Sequence, residues 1–267
     1  MIKRLVYGTI PYIVCQLFRR ETVNLPYYQY IHRHGYNRHL YEFREEYDAM
    51  QVEVLKDPKL NLPYTINRQG RRLYFKRDTP TDKVERMYRA LAMEQDPRSP
   101  HHYLDHTAEA KGCIWVDAGC AEGYTSLEVV EEAEHLYLFE CDEAWIEALE
   151  ATFAPWKGKV TIVRRWVGCC DNPQSVRLDS FFRGKEGARL FLKMDIEGAE
   201  REALRGCKEL FAAYHIRFAV CTYHNDDEQT IPPLLQQYGC RWKEQIGYFR
   251  HKRRIVVVKG SNCPGQI

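Results

Sequence analysis

From Gly112 onward the chain alternates short apolar runs with amphipathic stretches. The runs at 113–116, 136–139, 160–167, 190–194, 217–221 and 255–258 have strand length, and 125–133, 144–153 and 200–211 carry the spacing of a helix with one buried face. Strand followed by helix, repeated, predicts a mainly parallel sheet with helices on both faces. Such sheets bind ligands beyond the carboxyl ends of their strands, so function is sought after each strand.

The stretch before Gly112 has a different texture. Residues 62–66 and 72–76 flank Asn67-Arg68-Gln69-Gly70, which predicts a β-hairpin closed by a glycine-containing turn. Thr81 reads as a capping residue before a helix with Val84, Met87, Tyr88 and Leu91 on one face, ending near Asp96-Pro97. The segment Pro97, Arg98, Ser99, Pro100 with the nearby histidines reads as a connection. His102 and His106 stand four apart, which suits a shared metal on a helix, but loop histidines in solvent fit the surrounding sequence better. The chain thus divides into residues 1–107, a smaller α+β region, and 108–267, the α/β unit.

Charge and composition narrow the classes. The 39 Lys and Arg against 37 Asp and Glu give a net charge of +2, which argues against a nucleic-acid partner held by bulk charge. A hydrophobic fraction of 45% with mean hydropathy −0.54 excludes a largely disordered or membrane-embedded chain. Residues 1–107 nonetheless hold 18 basic against 13 acidic side chains and 12 of the 18 tyrosines. The run Tyr27-Tyr28-Gln29-Tyr30-Ile31-His32-Arg33-His34 suits a grip on a sugar or nucleic acid, or an amphipathic surface packed on its own domain. The apolar stretch 5–18 is interrupted by Pro11 and Gln16 and followed by Arg19-Arg20. It lacks a signal-peptide cleavage site and is too short to span a bilayer, which leaves attachment to a membrane surface open. Ten cysteines without any CxxC spacing read as reduced thiols in the cytoplasm.

The chemistry sits at the strand ends. The first strand runs into Asp117-Ala118-Gly119-Cys120-Ala121-Glu122-Gly123, a DxGxxxG rather than the GxGxxG of a dinucleotide loop. Gly119 and Gly123 permit a tight turn and a close backbone approach, while Asp117 disfavours a pyrophosphate and favours a cationic ligand. Glu140, 21 residues after Gly119, stands where an acid accepts hydrogen bonds from ribose hydroxyls. Together these describe a nucleoside with a cationic group, the outline of S-adenosylmethionine. Asp171, after the third strand, is a candidate for the adenine amino group, and Glu122 completes the loop's acids. Lys193 reads as a charge-balancing partner of a carboxylate such as Asp117.

Three segments resemble the FkbM-like family of S-adenosylmethionine-dependent methyltransferases: 116–123, then Lys193-Met194-Asp195-Ile196-Glu197-Gly198-Ala199-Glu200, which is similar to the family's KxDxEGxE signature, and Thr222-Tyr223-His224. The resemblance covers about residues 108 to 260. The first loop departs from many members, with Cys120-Ala121-Glu122 where they carry an Asn. The resemblance implies a Rossmann-like seven-stranded methyltransferase sheet and methyl transfer to a hydroxyl, often of a sugar or glycosylated natural product. His224 is then the candidate base, with Asp195 or Glu197 orienting it or binding substrate hydroxyls. No metal is assigned, although Asp195, Glu197, His224 and Asn225 offer donors suited to magnesium or calcium. The rivals are an NAD-dependent oxidoreductase and a non-catalytic glycan- or nucleic-acid-binding protein of the same fold.

Overall fold

Runs rich in Val, Ile, Leu and Phe build a central sheet from β1 (Ile114–Ala118), β2 (His135–Phe139), β3 (Val160–Val163), β4 (Arg189–Met194), β5 (His215–Cys221), β6 (Arg241–Phe249) and β7 (Lys252–Ser261). The structure is a computed structural model, described here for residues 2–36, 40–184, 189–225, 227–249 and 252–263. The strand order is β3-β2-β1-β4-β5-β7-β6. Strands β1 to β5 are parallel to one another, and β7 runs antiparallel between β5 and β6. The seven-stranded, mainly parallel sheet expected from the resemblance is therefore present. The order reverses between β1 and β4, and a crevice opens at the carboxyl ends of such a switch point.

Buried strands of this kind read as continuous apolar runs, which is why β1, β2, β4 and β5 were legible. Four differences have physical causes. The run at 160–167 splits: Arg164-Arg165 interrupts it, Arg164 bonds to Glu150 at 2.6 Å, and Trp166–Val167 turns away to pair with Ser175–Val176. The helix at 200–211 breaks into Glu200–Arg205 and Lys208–Ala213. At the break Gly206 lies so close to the β3 loop that a Cβ would meet the Gly168 carbonyl oxygen at 2.4 Å. Strand β6 escaped the apolar pattern because it is an edge strand with charged, exposed positions. Thr81 begins the helix Thr81–Glu94 rather than capping it; Pro80 occupies the cap in extended conformation.

In the N-terminal region Pro63–Ile66 and Arg72–Tyr74 form the expected hairpin, with Leu55–Lys56 as a third strand. Helices Ile10–Leu17, Leu25–His34 and Arg44–Asp48 precede it. One buried cluster joins Tyr47, Phe75, Val84 and Tyr88 of this region to Trp115, Leu127 and Leu138 of the sheet unit. A second cluster, with Leu192, Phe211 and Val220, fills the opposite face.

Candidate active site

After Asp117-Ala118 the chain turns through Gly119 and Gly123, at φ of 77° and 79°, into the helix Tyr124–Val129. Neither glycine has room for a side chain: a Cβ would lie 2.0 Å from the Asp195 carbonyl oxygen at Gly119 and 2.8 Å from the Phe153 ring at Gly123. The loop is tied to the end of β2, where the N–H groups of Gly119 and Cys120 donate to the Phe139 carbonyl at 3.0 and 3.2 Å. The Ala121 N–H donates to one oxygen of Glu140 at 2.9 Å, and those of Cys141 and Asp142 donate to the other at 2.8 and 2.9 Å. Three N–H donors thus fix the Glu140 carboxylate in orientation while leaving acceptor capacity.

Beside it opens a cavity of about 340 Å³ lined by Gly119, Glu140, Trp145, Trp166, Asp195 and Glu197 among others, within the size range of small-molecule sites. Flat aromatic walls and one fixed acid suit a nucleoside. A smaller cavity of about 130 Å³ shares Gly119, Ala121 and Asp195 with it and is bounded by Glu94, Tyr103 and Glu122. Burial there pushes the Glu122 carboxyl up to about 7.

Asp117 is 1% exposed and does not stand free. The β1–β4 register sets it opposite Lys193, whose ammonium lies 2.8 Å from one carboxylate oxygen, while the Ser126 hydroxyl donates to the other at 2.5 Å. Lys193 also donates to the Gly119 carbonyl at 2.7 Å, so the pair holds the loop as well as balancing charge. Burial alone would lower the Lys193 pKa, but Asp117 and Asp195 outweigh it and hold the ammonium above its ordinary range.

At the ends of β4 and β5, Asp195, Glu197 and His224 come together. His224 Nε2 lies 3.3 Å from Glu197, and Nδ1 lies 3.9 Å from Asp195. The shortest partner is one that sequence reasoning left without a role: Glu200, fully buried, is 3.0 Å from Nδ1. Burial opposes the charged imidazolium, yet the hydrogen bond to Glu200 and the carboxylates of Glu200, Asp195 and Glu197 raise the His224 pKa overall. Asp195 is itself held by two further residues without an assigned role, accepting from the Tyr103 hydroxyl at 2.7 Å and the Tyr223 hydroxyl at 3.3 Å. Glu200 was visible as the last acid of the segment 193–200, and Tyr223 as the neighbour of His224. Tyr103 lies in the N-terminal region, where no motif marked it.

Asp171 does not join the group. It is exposed, accepts from the Arg177 N–H at 3.0 Å and the Ser180 hydroxyl at 2.6 Å, and so braces its own loop outside the lining of the large cavity. The donor set that comes closest together also differs from the one read from sequence. Asp195, Glu200, Cys221 and His224 place one donor atom each within 4.8 Å of one another, a mixed oxygen, sulfur and nitrogen set.

The strand order and the crevice at the switch point define a Rossmann-like α/β fold. Within it, residues 170–241 match the model of the Methyltransferase FkbM domain. That segment contains Lys193, Glu200 and His224 but neither the Gly119 loop nor Glu140. Among solved structures, methyltransferase FkbM from Methylobacillus flagellatus KT is similar at 15% identity over 68% of this chain, with a TM-score of 0.47. This chain spans 55% of the length of that protein. A putative RNA methyltransferase from Pyrococcus horikoshii matches at 14% identity over 57% of this chain and 73% of its own, with a TM-score of 0.37. A putative methyltransferase from Streptococcus mutans in complex with SAH matches at 11% identity over 58% of this chain and 94% of its own, with a TM-score of 0.40. No curated protein sequence matches the chain.

Proposed function

We propose that the chain is an S-adenosylmethionine-dependent O-methyltransferase whose acceptor is a hydroxyl of a sugar or of a glycosylated small molecule. The observation that carries this reading is the pairing of His224 Nδ1 with buried Glu200. It leaves Nε2 beside Glu197, which lines the cavity that Glu140 also lines.

Gly119, Gly123, Glu122 and Glu140 are the residues to hold the cofactor. Gly119 and Glu140 line the same cavity, and Glu140 is set to accept from ribose hydroxyls there. Glu122, buried at the smaller cavity, offers a hydrogen-bonding carboxyl to the cofactor's amino end. When bound, the cofactor supplies a methyl group activated by a positively charged sulfur. What the chain must add is alignment of an oxygen and removal of one proton. With Nδ1–H donating to Glu200, His224 Nε2 presents its lone pair to the acceptor hydroxyl. Asp195 and Glu200 stabilise the imidazolium that results. Glu197, with a side chain 86% exposed, offers an acceptor for a neighbouring hydroxyl of a polyol.

Calorimetric titration with S-adenosylhomocysteine tests the cofactor assignment. Binding is expected and weakens at least tenfold in Glu140→Ala; no binding, or equal binding by both, removes it. The missing GxGxxG loop disfavours the oxidoreductase. A non-catalytic binding protein predicts cofactor binding with no methylated product from a broad panel of hydroxyl acceptors.

One observation favours a second reading, in which a divalent cation assists deprotonation: the converging donors of Asp195, Glu200, Cys221 and His224. Dialysis against a chelator separates the two, since direct base catalysis by His224 retains turnover and the cation-assisted form loses it.

A further inference from the structure

The N-terminal helical run 2–17 has two apolar faces, and only one is covered. The inner face packs on the helix Leu25–His34. Gly8 is buried there, a Cβ on it would lie 2.3 Å from Ile31, and Tyr12 stacks on His32 at 5.0 Å between ring centroids. The outer face carries Ile2, Val6, Ile10, Ile13 and Leu17, at steps of three and four residues that align them on one side of a helix. All are exposed, Ile2 to 75% and Leu17 to 73%, and Phe18 continues the stripe at 67%. Lys3 stands at one end of the stripe, beside Arg4, whose guanidinium is turned onto the His32 and Arg33 carbonyls, and Arg19 and Arg20, followed by Glu21, stand at the other, so each end keeps a net positive charge.

We infer that this face docks on an anionic lipid surface, with the helix lying in the plane of the interface. Its 16 residues, of which Leu5–Thr9 form a wider π-helical turn, fall short of the roughly 20 that a span requires. Among the described residues no helix is long and apolar enough to cross a membrane. An apolar stripe flanked by basic residues is the pattern of interfacial helices that bind acidic lipids. Charge selects the lipid over a second copy of the chain. Pairing two such stripes sets cations against cations in the parallel arrangement and in the antiparallel one, whereas anionic headgroups neutralise both ends. The helix pair sits at the end of the sheet where the candidate base lies: Tyr27 stacks on Tyr248 of β6 at 5.5 Å, and the next residue, Phe249, is 4.5 Å from Tyr223. Docking therefore holds that end of the molecule near the bilayer.

Flotation of the full chain with vesicles of phosphatidylcholine alone, or mixed with phosphatidylglycerol, tests this. The chain is expected to float with the mixed vesicles, less so at high salt, and weakly with phosphatidylcholine alone. Lys3→Gln, Arg19→Gln and Arg20→Gln should each lower partitioning to the mixed vesicles about fivefold. The double variant Ile10→Asp with Leu17→Asp, both at exposed positions, should lower it more than tenfold with an unchanged thermal midpoint. Failure of the native chain to float, or equal flotation of the double variant, overturns the inference. So does a dimer that the double variant dissociates in the absence of vesicle binding, which would give the face to a second copy.

Discussion

His224 is surrounded by carboxylates, and they set the pH at which its ring can take a proton. Its pKa is raised, mainly because Glu200 stabilises the imidazolium against the cost of burial. A raised value means the ring keeps its proton to higher pH, so the base proposed above would act only beyond that point. The acid limb of kcat/KM is therefore expected above the ordinary histidine value of about 6.5. Glu200→Gln removes the stabilising charge, so the limb should move to lower pH while Nδ1 keeps a hydrogen-bond acceptor. His224→Ala should lower turnover by about 10² to 10⁴ and leave S-adenosylhomocysteine affinity nearly unchanged. An unshifted limb in Glu200→Gln would assign the titration to another group. Glu122 gives an effect of opposite kind, in stability. Its carboxyl is raised to about 7 by burial, so the native state binds its proton more tightly than the unfolded chain does. Stability from this group is thus lost as pH rises from the unfolded value through about 7, and urea unfolding of Glu122→Gln should show a gain of about 3 kcal/mol at pH 8 that vanishes at low pH. The turn through Gly119 and Gly123 was legible because its constraint is local, a tight bend and the strand that enters it. The role of Glu200 was not, since its partner stands 24 residues further on and the two meet only through the packing of β4 beside β5. The partners of Asp171 were hidden for the same reason in reverse: they are its own loop's Arg177 N–H and Ser180 hydroxyl, which spacing does not show.

At the scale of elements, the β1–β4 contact is the seam on which the site is built. A chain of contacts runs from the Trp115 indole N–H to the Ser126 hydroxyl at 2.8 Å, on to Asp117, and across to Lys193 and the Gly119 carbonyl. Lys193 is 6% exposed, so removing its partner strands a buried ammonium. Asp117→Ala is expected to cost about 3–5 kcal/mol in chemical denaturation. Replacing both charges, as Asp117→Leu with Lys193→Met, should recover most of that loss, because the desolvation cost of the pair disappears with it. A double variant as unstable as the single one would mean that the hydrogen bonds to Ser126 and Gly119 matter more than the charges. The same scale explains what the sequence pattern could and could not give. Strands buried on both faces announce themselves as apolar runs, and β1, β2, β4 and β5 are of that kind. β6 closes an edge with Arg241, Lys243 and Glu244 exposed, and its strand character comes from pairing with β7 rather than from its own composition.

For the whole molecule, the N-terminal region is built into the same core as the sheet unit. Composition drew a boundary near residue 107, but hydrophobic packing crosses it. Phe75, Val84 and Tyr88 share one buried cluster with Trp115, Leu127 and Leu138, and the Tyr74 N–H donates to the Thr152 hydroxyl at 3.0 Å. Polar contacts cross as well: Gln245 donates to the carbonyls of Pro100 and His102 at 2.8 and 2.9 Å, and Lys259 reaches Asp105 at 2.6 Å. Tyr103 carries the connection into the site through Asp195. A region fastened in this way cannot swing away from the sheet unit without exposing core. The consequence is thermodynamic. Residues 40–263 should unfold as one cooperative unit, with the calorimetric and van't Hoff enthalpies equal and with fluorescence and circular dichroism reporting one midpoint. A chain beginning at residue 108 should fail to reach a folded state, because Trp115 and Leu127 would lose part of the cluster that buries them. Two separated transitions in the intact chain, or a soluble, cooperatively folding 108–267 fragment, would show that the shared cluster contributes little and that the boundary drawn by composition is a physical one.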